Sequence, residues 1–126
     1  GQHDVRVLPD GTISVYDNSL HRTRLPRVLR FRVDREARTA KVIEKLSDPN
    51  VTRSSWGGSA RRMPGGNWVV GWGGTSYVSE MTPSGDTVFG LYFPGIPQYR
   101  AFPVPYGALR PQRLRIAMDR MHPRTG

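Results

Sequence analysis

The chain contains no cysteine, which excludes disulfide staples and thiolate metal sites but leaves the redox compartment open. No apolar run reaches the roughly 18 residues a membrane-crossing helix needs, so no span is read. Lysine is nearly missing as well, because 17 of the 19 basic residues are arginine. Histidine is scarce, with only His3, His21 and His122 to supply imidazole chemistry. What the sequence has instead is turn formers: 14 glycines and 11 prolines in 126 residues favour short strands over a helical bundle. With 37% hydrophobic residues, the chain is long and apolar enough for one domain's core.

The first residues, Gly1-Gln2-His3, read as the start of a strand rather than as a secretory leader. Val5 and Val7, then Ile13 and Val15, alternate with polar neighbours at the two-residue period of a half-buried strand. Between them Pro9-Asp10-Gly11 supplies a preset proline φ and a residue free to adopt positive φ, which is hairpin-turn chemistry. The layout returns at Gly58–Trp72, with Pro64-Gly65-Gly66 in place of Pro9-Asp10-Gly11. Two further strands follow each copy, Val28–Val33 and Ala40–Leu46 in the first, Tyr77–Met81 and Val88–Phe93 in the second. Four hairpin-linked strands per repeat is the unit of a β-propeller blade. A small Greek-key or sandwich domain is the alternative arrangement, but turn chemistry and strand order recur together here, which favours blades. The division expected is one blade over 1–50, a second over 51–95, and a tail over 96–126.

In the tail, Tyr99–Val104 reads as a closing strand. Leu109–Met121 reads as a short C-terminal helix, with Pro111 in its first turn and Leu114, Ala117, Met118 and Met121 on one stripe. The fold class expected is therefore all-β: a partial β-propeller of two four-stranded blades plus one closing strand, with that helix. Between the repeats, 47–57 is a long loop carrying Trp56, and long loops in compact domains are often functional. The run Trp68-Val69-Val70-Gly71-Trp72 fits a strand buried on both faces, as the middle of a stack of blades requires.

The formal net charge of +9 raises the prospect of a polyanionic partner. However, the arginines are dispersed, and Arg30 and Arg32 interleave Leu29, Phe31 and Val33 as an outward, solvated strand face would. No RNA-binding aromatic signature or helix-turn-helix spacing is present, so nucleic acid is not the expected partner. One local cluster stands out: His21, Arg22, Arg24 and Arg27 in the loop after Asn18, where guanidinium forks suit sulfate, phosphate or carboxylate.

Taken together, Gln2-His3, Leu8-Pro9-Asp10-Gly11-Thr12 and Tyr16-Asp17-Asn18 with arginine shortly after resemble the bacterial arylsulfotransferase family. Gly58–Gly74 and the ending Tyr99–Val104 resemble the C-terminal part of actinobacterial members, so the likeness runs over nearly all of the chain. The resemblance implies a six-bladed propeller that moves a sulfuryl group between phenols with no nucleotide cofactor; no metal site is expected. It also implies a histidine nucleophile in the central channel, with further histidines and an arginine around it. His3 stands at the family's histidine position, Asn18 at its asparagine, and Arg22 or Arg24 at its arginine. Asn18 is equally readable as a turn residue, and Ser19-Leu20-His21 replaces the family's glycine-rich loop. A secreted or periplasmic location is implied by the family alone.

Two repeats make about a third of such a ring, and bare blade faces are a liability unless covered. Three expectations follow: a fragment or subunit of an arylsulfotransferase-like enzyme acting on aryl sulfates and phenols, its ring completed by blades from another chain or a homo-oligomer; a non-catalytic propeller-derived binding or oligomerisation module; and a basic polyanion-binding β-domain.

Overall fold

The computed structural model describes residues 1–20 and 24–104. Two four-stranded antiparallel sheets account for all regular structure among them. The first runs β1 (Gln2–Val7), β2 (Ile13–Asp17), β3 (Arg27–Asp34) and β4 (Thr39–Leu46), and the second β5 (Ser59–Arg62), β6 (Trp68–Gly71), β7 (Tyr77–Met81) and β8 (Thr87–Tyr92). Within each sheet, spatial order follows chain order, so every connection is a hairpin.

The turn chemistry explains that simplicity. At Leu8–Thr12 the Gly11 amide donates to the Leu8 carbonyl at 2.9 Å and the Leu8 amide to the Thr12 carbonyl at 2.8 Å. Met63–Asn67 and Thr82–Asp86 repeat the same two bonds, each with a proline second and a glycine fourth. Gly11, Gly66 and Gly85 all have positive φ, the left-handed residue that closes a three-residue hairpin loop with the twist its strands need. Three of the hairpins are thus one local solution used three times.

The sheets pack face to face. Tyr16, Val28 and Leu46 from the first meet Ala60, Trp68, Val70, Trp72 and Met81 from the second, with Val51 of the connecting loop between them. Tyr16 pairs Val28 and Val28 pairs Leu46 in register, which puts all three side chains on one face. Trp68 and Trp72 are fully buried, and each removes on the order of 200 Å² from water, ~3–5 kcal/mol of gross transfer free energy. Trp72 meets the Tyr16 ring edge-on at 5.8 Å between centroids.

Arg30 departs from the solvated face expected for it. It pairs Ser14 and Glu44 in register, so it points into the inter-sheet seam and is buried. There its guanidinium binds Asp10, Glu44 and the Thr12 hydroxyl. Glu44 also accepts the indole N–H of Trp68 at 2.8 Å, carrying the polar chain from one sheet to the other. Arg32, two residues on, is exposed.

The apolar run at 68–72 divides by face. Trp68, Val70 and Trp72 enter the core, while half-buried Val69 faces the other way. On that opposite side Val69, Val78, Phe89, Leu91 and Phe102 line a cavity of about 400 Å³. Tyr99–Val104 is not a strand. Ser59 Oγ accepts the Ala101 amide at 2.9 Å, and a Cβ on Gly71 would lie 2.7 Å from the Ala101 nitrogen. The segment therefore lies over the face of β5 and β6 instead of extending a sheet edge, and Pro97 and Pro103 have no amide to offer a ladder. The helix expected over 109–121 lies outside the described residues.

Candidate functional site

β1 and β2 are paired from the Pro9-Asp10-Gly11 turn back to their open end, where Gln2 faces Asp17 and His3 faces Tyr16. Past that end the Asn18 amide donates to the Gly1 carbonyl at 3.0 Å. A Cβ on Gly1 would lie 3.8 Å from His3 Nε2, so the half-buried imidazole turns back toward the same end.

Asn18 is nearly fully buried at 2% exposure, and its carboxamide is held by the connecting loop. Nδ2 donates to Ser54 Oγ at 2.6 Å and to the Gly57 carbonyl at 3.1 Å. Ser54 is the hub: its oxygen also accepts the Tyr16 phenol at 2.8 Å and donates to the Gly73 carbonyl at 2.6 Å. Burial pushes the Tyr16 phenol up to about 12 despite that hydrogen bond, so it remains a donor. Asn18 therefore commits its nitrogen to holding the connecting loop. Its Oδ1 is buried with no partner among the described residues, as is the Ser19 hydroxyl.

Ser19 has φ 54, and its amide is bound by Asp17 Oδ1 at 3.0 Å. Desolvation works to raise the Asp17 pKa, but the Ser19 amide and Arg27, at 3.0 Å, outweigh it and hold the carboxylate below its ordinary value. Beside this turn opens a cavity of about 380 Å³, whose lining includes Asn18, Ser19, Arg24, Arg53, Ser54 and Ser55. Among the described residues no acidic side chain lines it, and neither Arg24 nor Arg53 makes an ion pair. Two arginines and three serines line it, beside the orphaned Asn18 Oδ1, an acceptor, and the Ser19 hydroxyl.

Of the residues expected from sequence, Asn18 and Arg24 thus share a cavity. His3 lies at the same end of the sheet but does not line it, and Arg22 falls outside the described residues. The described residues contain no cluster of three histidine or carboxylate side chains fit to hold a metal.

Sequence reasoning missed three residues. Arg53 and Ser54 are consecutive in the long loop, whose length was the only hint. Asp4, next to His3, left no signal. It has φ 53 inside a bulge between His3 and Arg6, an irregularity that alternation does not record. Its buried carboxylate accepts the Ala60 amide at 3.0 Å, binds the Arg61 guanidinium, and lies 3.4 Å from Arg6 Nε. Arg61 is buried in turn; that burial lowers its pKa, with nearby Arg100 adding to the effect, and its guanidinium sits 4.7 Å above the Phe102 ring. β1 is therefore tied to β5 by charge.

A protein-family model described as Arylsulfotransferase (ASST) matches residues 1–93, from the first strand through the end of β8. No curated protein and no solved structure matches the chain.

Proposed function

The chain belongs to the arylsulfotransferase family, and on that premise we propose that it forms part of a β-propeller that transfers a sulfuryl group between phenolic compounds. The first and second sheets are then neighbouring blades, with 1–50 and 51–95 as their limits, and further blades complete the ring. The observation that supports the reading is that the family match spans His3 and Asn18, which lie at the same end of the first sheet, Asn18 lining a cavity with Arg24 and Arg53.

In this reaction a neutral imidazole nitrogen of His3 attacks the sulfur of an aryl sulfate. The bond from sulfur to the aryl oxygen breaks, and the phenolate leaves with its electron pair. An acid supplied by the completed ring protonates it. A second phenol, deprotonated as it attacks, takes the sulfuryl group from the imidazole and restores His3. Arg24, with Arg22 of the same loop, neutralises the sulfate oxygens, and Asn18 orients the ligand. Such an enzyme needs no nucleotide cofactor, and its family implies a secreted or periplasmic setting.

The test is exchange between 4-nitrophenyl sulfate and an unlabelled phenol, read as nitrophenolate release with ping-pong kinetics. His3→Ala should abolish exchange and the covalent intermediate; turnover unchanged in that variant removes His3 from the reaction. A second reading, a non-catalytic module that oligomerises through a blade face, is favoured by the apolar side of the second sheet, where Phe89 is 54% and Leu91 43% exposed. It requires a defined oligomer that Leu91→Lys dissociates, with no exchange activity in either state.

A further inference from the structure

We propose that Arg53 is the second cationic contact of the cavity beside Asn18, placed by the loop between the sheets to grip the oxyanion of an aryl sulfate together with Arg24. The ligand's identity rests on the reading above; the role of Arg53 rests on where the loop holds it.

That loop is anchored on both sides of Arg53. Before it, Asp48 Oδ1 accepts the Asn50 amide at 2.9 Å, the Val51 amide donates to the Asp48 carbonyl at 3.0 Å, and the Val51 side chain is buried in the core. Asp48 Oδ2 is bound by the Thr87 hydroxyl at 2.9 Å, which pins the turn to β8. After it, Ser54 is fixed by its three hydrogen bonds to Tyr16, Asn18 and Gly73. The backbone at Arg53 is therefore held while its exposed side chain has no ion-pair partner among the described residues.

The rest of the lining suits the same ligand. The nearby acid, Asp17, is bound by Arg27 and the Ser19 amide; Arg24 lies near enough to help hold its pKa down but makes no ion pair with it among the described residues, and Asp17 does not line the cavity. The Ser19 hydroxyl, buried and unpartnered, is a donor for a sulfate oxygen. Asn18 Oδ1 can only accept, which calls for an O–H: a phenol or a water that travels with it. A cavity of about 380 Å³ is within the range of small-molecule sites. Cations from two loops with an orphaned donor and an orphaned acceptor between them fit the two ends of one transfer, the sulfate group and the phenolic hydroxyl.

Calorimetric titration of the purified full chain with 4-nitrophenyl sulfate tests this. Arg53→Gln should weaken binding about 10-fold, as a lost charge-assisted contact does, and Arg24→Gln should do the same. Arg32→Gln, an exposed arginine on β3, should bind like the unaltered chain. His3→Ala should keep the affinity while losing transfer. Wild-type affinity in Arg53→Gln overturns the proposal, and so does an equal loss in Arg32→Gln, which would reduce the effect to net charge. Absence of saturable binding to the unaltered chain overturns it as well. Surviving exchange in His3→Ala would sink the transfer mechanism and leave the role of Arg53 standing.

Discussion

Removing the Ser54 hydroxyl should cost far more than a surface serine normally does. Its oxygen serves three buried groups at once: the Tyr16 phenol, the Asn18 carboxamide and the Gly73 carbonyl. Ser54→Ala leaves the phenol proton without its acceptor, though the Gly73 backbone still faces the phenol oxygen, strips the Gly73 carbonyl of its donor, and leaves Asn18 with only its longer bond to Gly57. At roughly 1 kcal/mol for each net hydrogen bond, with up to ~3 kcal/mol for a group stranded in the interior, the loss should be about 3 kcal/mol. Water entering from the adjoining cavity, which Ser54 itself lines, keeps the figure below the sum of the full penalties. Urea unfolding followed by tryptophan fluorescence reads this directly, since Trp72 packs edge-on against the affected tyrosine. The cycle with Tyr16→Phe sharpens it. In the double variant one stranded donor is gone, so the combined loss should fall short of additive by about 1 kcal/mol. A Ser54→Ala variant within about 0.5 kcal/mol of the parent, or strictly additive losses, would refute the hub.

Two other perturbations follow from the same geometry. The Thr12 hydroxyl and amide, with Arg30 behind them, hold the Asp10 carboxyl down at about 2. A depressed folded pKa contributes stability that is present above the ordinary value of 3.8 and is lost as pH falls through about 2, so Asp10→Asn should flatten the acid limb of a stability-against-pH curve in that window; an unchanged limb counts against the assignment. Gly58→Ala should cost more than ~3 kcal/mol or prevent folding, because φ is +106° and the new Cβ would lie 2.2 Å from the Tyr16 ring. Gly11→Ala, at φ +75° with open space around it, should cost only about 1–2 kcal/mol; equal thermal shifts in the two variants would contradict this account.

The strands were legible because their causes are local. Alternating Ile13 and Val15 and three copies of one proline–glycine turn act within a few residues, and the ladders follow, although Val5 and Val7, expected on a half-buried face, are exposed because the bulge at Asp4 breaks the alternation of β1. The failures come where a contact from elsewhere overrides local pattern. Arg30 sits in an alternation that reads as solvent-facing, yet its guanidinium is buried and bound by Glu44, fourteen residues after it, and by the exposed Asp10, twenty before. Tyr99–Val104 has strand composition, but the Ser59 hydroxyl and the absent side chain of Gly71 draw it onto a face. For the site, Asn18 and Arg24 were reachable because they share one loop. Arg53 and Ser54 come from a second loop, more than 25 residues away in the sequence, and only folding brings them in.

Asp4 shows how the candidate histidine can keep its place at all. The strand that carries it buries little: Val5 is 65% and Val7 75% exposed, so apolar contact does not hold β1 against the second sheet. A left-handed φ at a non-glycine residue costs roughly 1–2 kcal/mol and persists only where the surroundings compensate it. Here the compensation is the buried carboxylate, which takes the Ala60 amide and the Arg61 guanidinium across the gap between the sheets. The bulge that strains the backbone is what aims the carboxylate at β5, since an unbroken alternation would leave Asp4 on the ladder beside its neighbours. The position of His3 is therefore set by its ladder to β2 opposite Tyr16 and, on the other side, by an ion pair between sheets, so a change to the seam between β1 and β5 reaches the imidazole one residue away.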